Sequence, residues 1–167
     1  MAYIHVEDGG GQIIEEREVG AFLASYGVGY ERWETSGRAE DQSSDVELLA
    51  AFAEEIDLLK KRAGFSAADV VQLSPDTDGL EAIMSQFRRL HTHDDDEVRF
   101  VVSGSGSFYM SPGSGSPFTV VVGAGDLISV PRGVSHSFDL CSDNSIRCIR
   151  LFTDPAGWAA HYVDQSA

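Results

Sequence analysis

The C-terminal part of the chain, from residue 97 onwards, is a series of short β-rich runs. They are "EVRFVV", "SFYM", "FTVVV", "DLISV", "HSFDL" and "IRCIRLF", and Gly, Ser and Pro separate them. Branched and aromatic residues in runs this short are typical of strands, and closely spaced turn signals are typical of an all-β sandwich or barrel. The Gly/Ser-rich stretch "SGSGSFYMSPGSGSPF" predicts hairpin turns within this barrel and not a linker between domains.

Helical patterns precede the strand-rich part. Ser44 and Glu47 form a capping box, apolar residues then recur at helical spacing, and Gly64 stands where a C-cap belongs. A second helix start lies at Asp78, C-terminal to the extended segment "DVVQL". A chain of 167 residues suits a single core. We therefore expect one domain over residues 1–167, with a helical elaboration over about 20–90 and a β-barrel core over about 90–155.

The charge balance restricts the classes of partner. The chain has 27 acidic and 12 basic residues, for a formal net charge of -15. Nucleic acids and anionic membrane surfaces both require a basic surface, so we expect neither as a partner. No apolar run reaches the length of a membrane span. Cys141 and Cys148 could form one bridge, but two reduced thiols in a cytoplasmic protein are the favoured interpretation.

The stretch "HTHDDDEVRF" concentrates residues that can bind a metal ion. His91 and His93 are two residues apart, so on a strand both imidazoles face the same side. A turn at Asp94–Asp96 could bring Glu97 to the same point, and imidazole with carboxylate suits divalent iron, nickel, zinc or manganese. Taken alone, an H-x-H pair is more often part of a polar loop, and three consecutive aspartates are typical of a solvated turn.

Two spaced patterns extend this observation. The first, H-x-H-x3-E-x6-G, ends at Gly104, and the second, G-x5-P-x-G-x2-H, runs from Gly125 to His136. Their spacing resembles the paired motifs of the cupin superfamily, whose fold is a jelly-roll barrel, also described as a double-stranded β-helix. The resemblance implies a mainly β fold with an N-terminal α-helical elaboration, and a metal site with four protein ligands. The implied ligands are His91, His93, Glu97 and His136.

A narrower resemblance covers nearly the whole chain, from about Val28 to Tyr162. The segments "YERWE", "DVVQLSPDT", "HTHDDDEVRF", "GDLISVPRGVSH" and "IRLFTDPAGWAAHY" are similar to the acireductone dioxygenase family of methionine salvage. The resemblance implies a monomer with one Fe(II) or Ni(II) per chain, which cleaves 1,2-dihydroxy-3-keto-5-methylthiopentene with dioxygen. The products implied for iron are formate and 4-methylthio-2-oxobutanoate, and for nickel formate, carbon monoxide and 3-methylthiopropanoate.

Two arginines and two aromatic residues complete the predicted site. Arg99 lies two residues after Glu97, so its side chain should share the inward face of the strand. The family resemblance implies that Arg99 and Arg150 balance the charge of an anionic substrate, although a strand arginine is more often a surface residue. Phe138 and Trp158 would line the methylthio end of the pocket, or serve only as core packing.

Two other functions remain open at this point. One is a cupin oxygenase or isomerase that acts on another substrate. The other is a cupin without catalytic activity, which binds a small molecule. The ligand set does not choose between iron and nickel, because the availability of the metals decides loading more than affinity does.

Overall fold

The computed structural model describes residues 1–38, 43–154 and 159–163. Within these ranges the chain has four helices: α1 (Glu16–Ser25), α2 (Asp45–Ala51), α3 (Ala53–Ala63) and α4 (Leu80–Phe87). The strands are β1 (Tyr3–Val6), β2 (Gly11–Ile13), β3 (Gly29–Arg32), β4 (Ala67–Leu73), β5 (His91–Thr92), β6 (Glu97–Ser111), β7 (Phe118–Gly123), β8 (Asp126–Val130), β9 (Ser135–Leu140), β10 (Ile146–Phe152) and β11 (His161–Tyr162). The predicted mainly β fold with a helical elaboration is confirmed. None of the described helices combines the length and the apolar character needed to cross a membrane.

The strands form two sheet regions, and every strand pair in the described ranges is antiparallel. One region has the order β4-β10-β6-β8-β3. The other has the order β11-β5-β9-β6-β7-β1-β2. A buried apolar cluster lies between them and includes Phe108 and Val120 from the second region and Val101 and Ile128 from the first. The two layers therefore enclose a shared core, as in other double-sheeted barrels.

Helices α2 and α3 cover the outer face of the first region. A second buried cluster joins Leu48 and Phe52 to Val98, Phe100 and Ile149. Strand β6 is thus covered on both faces near its start, which explains why residues 97–101 are all buried there.

The two predicted helix caps are confirmed, but the helix between them is interrupted. The Ser44 hydroxyl accepts a hydrogen bond from the Glu47 backbone N–H at 3.2 Å, and Gly64 has the left-handed φ of 77° that a C-cap requires. The sequence pattern runs through Phe52 without a break. In the structure the backbone leaves helical angles there (φ -112°, ψ 19°), and the Phe52 ring packs 5.0 Å from the ring of Phe100.

Strand β6 is longer than the sequence predicts: "EVRFVV" and "SFYM" belong to one continuous strand, so the turn predicted between them is wrong. Residues 103–111 continue the strand, and only residues 112–117 connect it to β7. The small residues make room for neighbours instead of forming a turn. A Cβ atom on Gly106 would lie 2.4 Å from Cε2 of Phe138, so the glycine admits that ring.

Gly104 marks the point where β6 passes from one sheet region to the other. Its φ is 76°, and a Cβ atom there would lie 2.1 Å from the backbone oxygen of Ser145. Before Gly104 the strand pairs with β8 and β10, and after it with β7 and β9. The glycine that closes the first sequence motif is therefore required for two reasons: its left-handed backbone angle, and the lack of room for a Cβ atom beside the Ser145 backbone.

We expect Gly104→Ala to destabilise the protein more than Gly64→Ala does. Both glycines have left-handed φ values, 76° and 77°, so both substitutions share the same backbone strain. Only Gly104 faces a backbone neighbour, whereas nothing lies within 4 Å of a Cβ on Gly64. The steric clash should cost about 1–3 kcal/mol beyond the shared strain. Urea unfolding of both variants measures the difference in the free energy of unfolding. Equal destabilisation would show that the space beside Gly104 does not require a glycine.

Candidate metal centre

The structure brings together the four side chains that the sequence predicts as metal ligands. His91 lies on β5, His93 follows it, Glu97 opens β6, and His136 lies on β9. Strand pairing sets His91 directly opposite His136. Each residue offers one ligand atom, and these atoms all lie within 4.8 Å of one another. Glu97 is 3% exposed and His136 only 1%, so the group is buried.

The Glu97 carboxylate faces the histidines with one oxygen and an arginine with the other. Its Oε2 lies 2.7 Å from Nε2 of His136 and 3.2 Å from Nε2 of His93. Its Oε1 accepts a hydrogen bond from Nε of Arg99 at 2.6 Å. Burial opposes ionisation of this carboxyl group, but the Arg99 charge and the two histidine contacts outweigh burial and hold the pKa of Glu97 well below its usual range. The residue is therefore a carboxylate that can ligate a cation.

The three imidazole rings are oriented by backbone carbonyl groups. In each ring Nδ1 faces a carbonyl oxygen, which favours the tautomer with the proton on Nδ1 and leaves the Nε2 lone pair for a metal ion. The carbonyls belong to Arg89 for His91, Val134 for His136 and Ala159 for His93, at 2.6, 2.8 and 3.4 Å respectively. Burial lowers the pKa of His91, which favours the neutral, ligating form. Three imidazoles and one carboxylate fit a divalent transition metal.

A cavity of about 120 Å³ opens beside these ligands. Both predicted arginines line it, and Arg99 stands directly opposite Arg150 in the pairing of β6 with β10. Arg99 is buried, and although burial alone would lower its pKa, the adjacent Glu97 carboxylate raises it. Arg99 also donates a hydrogen bond from Nη1 to Sγ of Cys148 at 3.6 Å. The site thus has two guanidinium groups on neighbouring strands.

The two predicted aromatic residues differ in outcome. Phe138 lines the cavity and also packs against Phe108, with ring centroids 5.0 Å apart, so it serves both the pocket and the core. Trp158 lies outside the described residues. Sequence reasoning missed the remaining cavity-lining residues, which are Val71, Gln86, Phe87, Ala160 and Tyr162. Phe87 belongs to the apolar stripe of α4. Helical periodicity predicts that such a residue is buried, but it does not predict that the residue lines a cavity.

The aspartates of the acidic turn are more than a solvated surface. The Asp95 carboxylate accepts hydrogen bonds from the backbone N–H groups of Thr153 and Asp154, at 3.0 and 3.2 Å. Asp94 lies 2.8 Å from the His161 ring. The turn therefore connects the metal-ligand segment to residues near the end of the chain, and these contacts join parts too distant in sequence for a local pattern to indicate.

Comparison with known proteins finds close relatives along almost the full chain. A family model described as the ARD/ARD' family matches residues 21–160. The acireductone dioxygenase of Methylococcus capsulatus is 40% identical over 163 residues, which cover 96% of this chain and 87% of that protein. The acireductone dioxygenase of Geobacillus thermodenitrificans is 40% identical over 175 residues, with 99% and 97% coverage.

A solved structure matches the fold as well as the sequence. It is described as acireductone dioxygenase from Bacillus anthracis with cadmium ion in active center. The TM-score is 0.89 at 36% sequence identity, and the match covers 97% of this chain and 98% of that one. The agreement extends over both the helical part and the strands, so the cupin-type fold implied by the sequence motifs is confirmed.

Proposed function

The chain belongs to the ARD/ARD' family, and on this premise we propose that it is a metal-dependent dioxygenase that cleaves acireductone with dioxygen. The acireductone is 1,2-dihydroxy-3-keto-5-methylthiopentene, and the reaction would belong to methionine salvage. One observation carries the proposal beyond family membership. Arg99 and Arg150 face one cavity beside a group of three histidines and one glutamate.

We propose that His91, His93, Glu97 and His136 hold one Fe(II) or Ni(II) per chain. Support comes from the buried donor set and from the carbonyl contacts at Nδ1 of the three histidines, which favour Nε2 as the ligand atom. A divalent ion bound there would supply Lewis acidity, which lowers the pKa of an enediol and favours the electron-rich anion that reacts with dioxygen.

The protein's own side chains would bind and orient the substrate. Arg99 and Arg150 would neutralise its anionic oxygens, which a chain of net charge -15 otherwise repels. Phe138 and Val71 contribute apolar surface to the same cavity and would receive the methylthio end. Because the cavity is small and its ligand residues are buried, bound substrate would displace most of the water and strengthen these charge interactions.

The test is anaerobic reconstitution of the metal-free protein with Fe(II) or Ni(II), followed by addition of acireductone and oxygen. We expect substrate loss with both metals. Iron should yield formate and 4-methylthio-2-oxobutanoate, whereas nickel should yield formate, carbon monoxide and 3-methylthiopropanoate. If neither metal supports consumption of acireductone, the remaining candidates are a cupin enzyme for another substrate and a non-catalytic binding protein.

Three further expectations accompany this proposal. We propose a single domain over residues 1–167, supported by the buried cluster in which Leu48 and Phe52 of the helices meet Val98 of β6.

We propose a monomer, consistent with mutual repulsion between chains of charge -15. A cytoplasmic location is supported by the free thiols of Cys141 and Cys148.

A further inference from the structure

Asp69 holds one edge of the Arg150 guanidinium with two parallel hydrogen bonds. Arg150 Nε lies 2.8 Å from Asp69 Oδ1, and Nη2 lies 2.5 Å from Oδ2. The two residues are directly opposite each other in the pairing of β4 with β10. A bidentate pair of this kind fixes the plane of the guanidinium group as well as its position. The orientation of Arg150 at the cavity is therefore set by a residue of a third strand.

Three neighbouring strands place charged side chains in one row across the sheet. Asp69 on β4 pairs with Arg150 on β10, and Arg150 in turn pairs with Arg99 on β6. Like charges directly opposite each other on adjacent strands are destabilising. Here each arginine also contacts a carboxylate, Asp69 for Arg150 and Glu97 for Arg99. The row thus brings two cations together at the cavity, which Glu97 also lines, whereas Asp69 lies outside the cavity lining.

Arg150 depends on such a partner more than Arg99 does. Arg99 is buried, whereas the Arg150 side chain is 29% exposed and that of Asp69 is 40% exposed. A partly exposed arginine readily directs its head group into water. Arg150 also lies over the ring of Phe152, at 5.7 Å from the centroid, but a cation–π contact at this distance is weakly directional and does not fix the plane as a bidentate pair does.

We propose that Asp69 is a positioning residue for substrate binding, which acts through Arg150 by keeping its guanidinium at the cavity wall. The inference rests on the proposed function, because it assigns Arg150 to the anionic oxygens of the acireductone. Asp69 itself does not line the described cavity. Its effect should therefore appear in substrate affinity and should require an arginine at position 150.

The experiment is a double-mutant cycle with Asp69→Asn, Arg150→Gln and the two combined. Asparagine keeps the shape of the side chain but loses the charge and one acceptor. We expect Asp69→Asn to raise KM about tenfold with kcat changed by less than about twofold. Anaerobic titration, followed by the absorbance of the enediolate, should show the same loss of affinity without turnover. In the Arg150→Gln background the second substitution should change neither quantity.

Asp45→Asn provides the matched control. Asp45 also pairs with an arginine of β10, Arg147, at 3.1 Å, but neither residue lines the cavity. This variant should keep the KM of the unmodified protein. Asp69→Glu, which retains two acceptors, should recover part of the affinity.

The outcomes separate this inference from the proposed function. An unchanged KM in Asp69→Asn would overturn the positioning role. A lower KM would also overturn it, because Asp69 would then only offset the positive charge. An equal effect of Asp69→Asn with and without Arg150 would show that it acts on the fold and not through the arginine. If the unmodified, metal-loaded protein and Asp45→Asn both fail to consume acireductone, the proposed function itself is wrong.

Discussion

His136→Ala protein should retain almost no tightly bound metal and should lose acireductone turnover by at least about a hundredfold. The substitution removes one of four ligand atoms and also the 2.7 Å contact that orients Oε2 of Glu97. Metal content after reconstitution and gel filtration, measured by elemental analysis, gives the first readout. Turnover with added Fe(II) or Ni(II) gives the second.

His5→Ala is the matched control for this prediction. His5 is an exposed histidine on β1, on a strand that contributes no metal ligand. Its replacement should change neither metal content nor turnover. Because His136 is buried on a central strand, a second variant, His93→Ala, guards against loss of the fold, since His93 follows β5 and lies outside the strands. Full metal occupancy in both ligand variants would show that the ligands are assigned wrongly.

Arg99→Ala should retain the metal and lose turnover by about two to three orders of magnitude. The four ligand side chains stay in place, but the cavity loses the more buried of its two cations. Removal of a preorganised charge next to the reacting group typically costs about a hundredfold to a thousandfold in rate. Metal content and steady-state kinetics, measured on the same preparation, separate these two effects.

The same substitution should also destabilise the metal-free protein. Glu97 is buried, and without Arg99 its carboxylate loses the cation at 2.6 Å. Breaking a buried pair from one side typically costs about 3–5 kcal/mol. The loss should be smaller with metal bound, because the ion then compensates the carboxylate. Arg99→Lys should be less destabilised than Arg99→Ala but still catalytically impaired. Activity of Arg99→Ala equal to that of the unmodified protein would remove Arg99 from the substrate site.

The sequence predicted the parts of the site that depend on local spacing. The period of two along a strand placed Arg99 on the face of Glu97, and their atoms meet at 2.6 Å. The helix caps at Ser44 and Gly64 follow from rules that act within a few residues. For His136, family resemblance supplied the link to His91, because the strand pairing that joins them is not visible in either segment.

Features that depend on tertiary contacts escaped prediction. The β1–β2 hairpin and α1 carry no strong local signal, yet Ile4 and Val19 become fully buried in the main core. The break at Phe52 depends on where its ring meets Phe100. Asp69 reads as one residue of a short extended segment, and only the pairing of β4 with β10 reveals its contact with Arg150.

Strand β6 carries Glu97 and Arg99, and it pairs with four of the other described strands, β7, β8, β9 and β10. Separation of its first residues from β8 and β10 would expose side chains of two buried clusters, including Val101 and Phe100. We therefore expect the amides of residues 98–101, which are buried on a strand paired on both sides, to exchange with solvent through global unfolding. A metal ion bound at Glu97 would consequently stabilise the whole native state against the unfolded chain, and not only the loop around it.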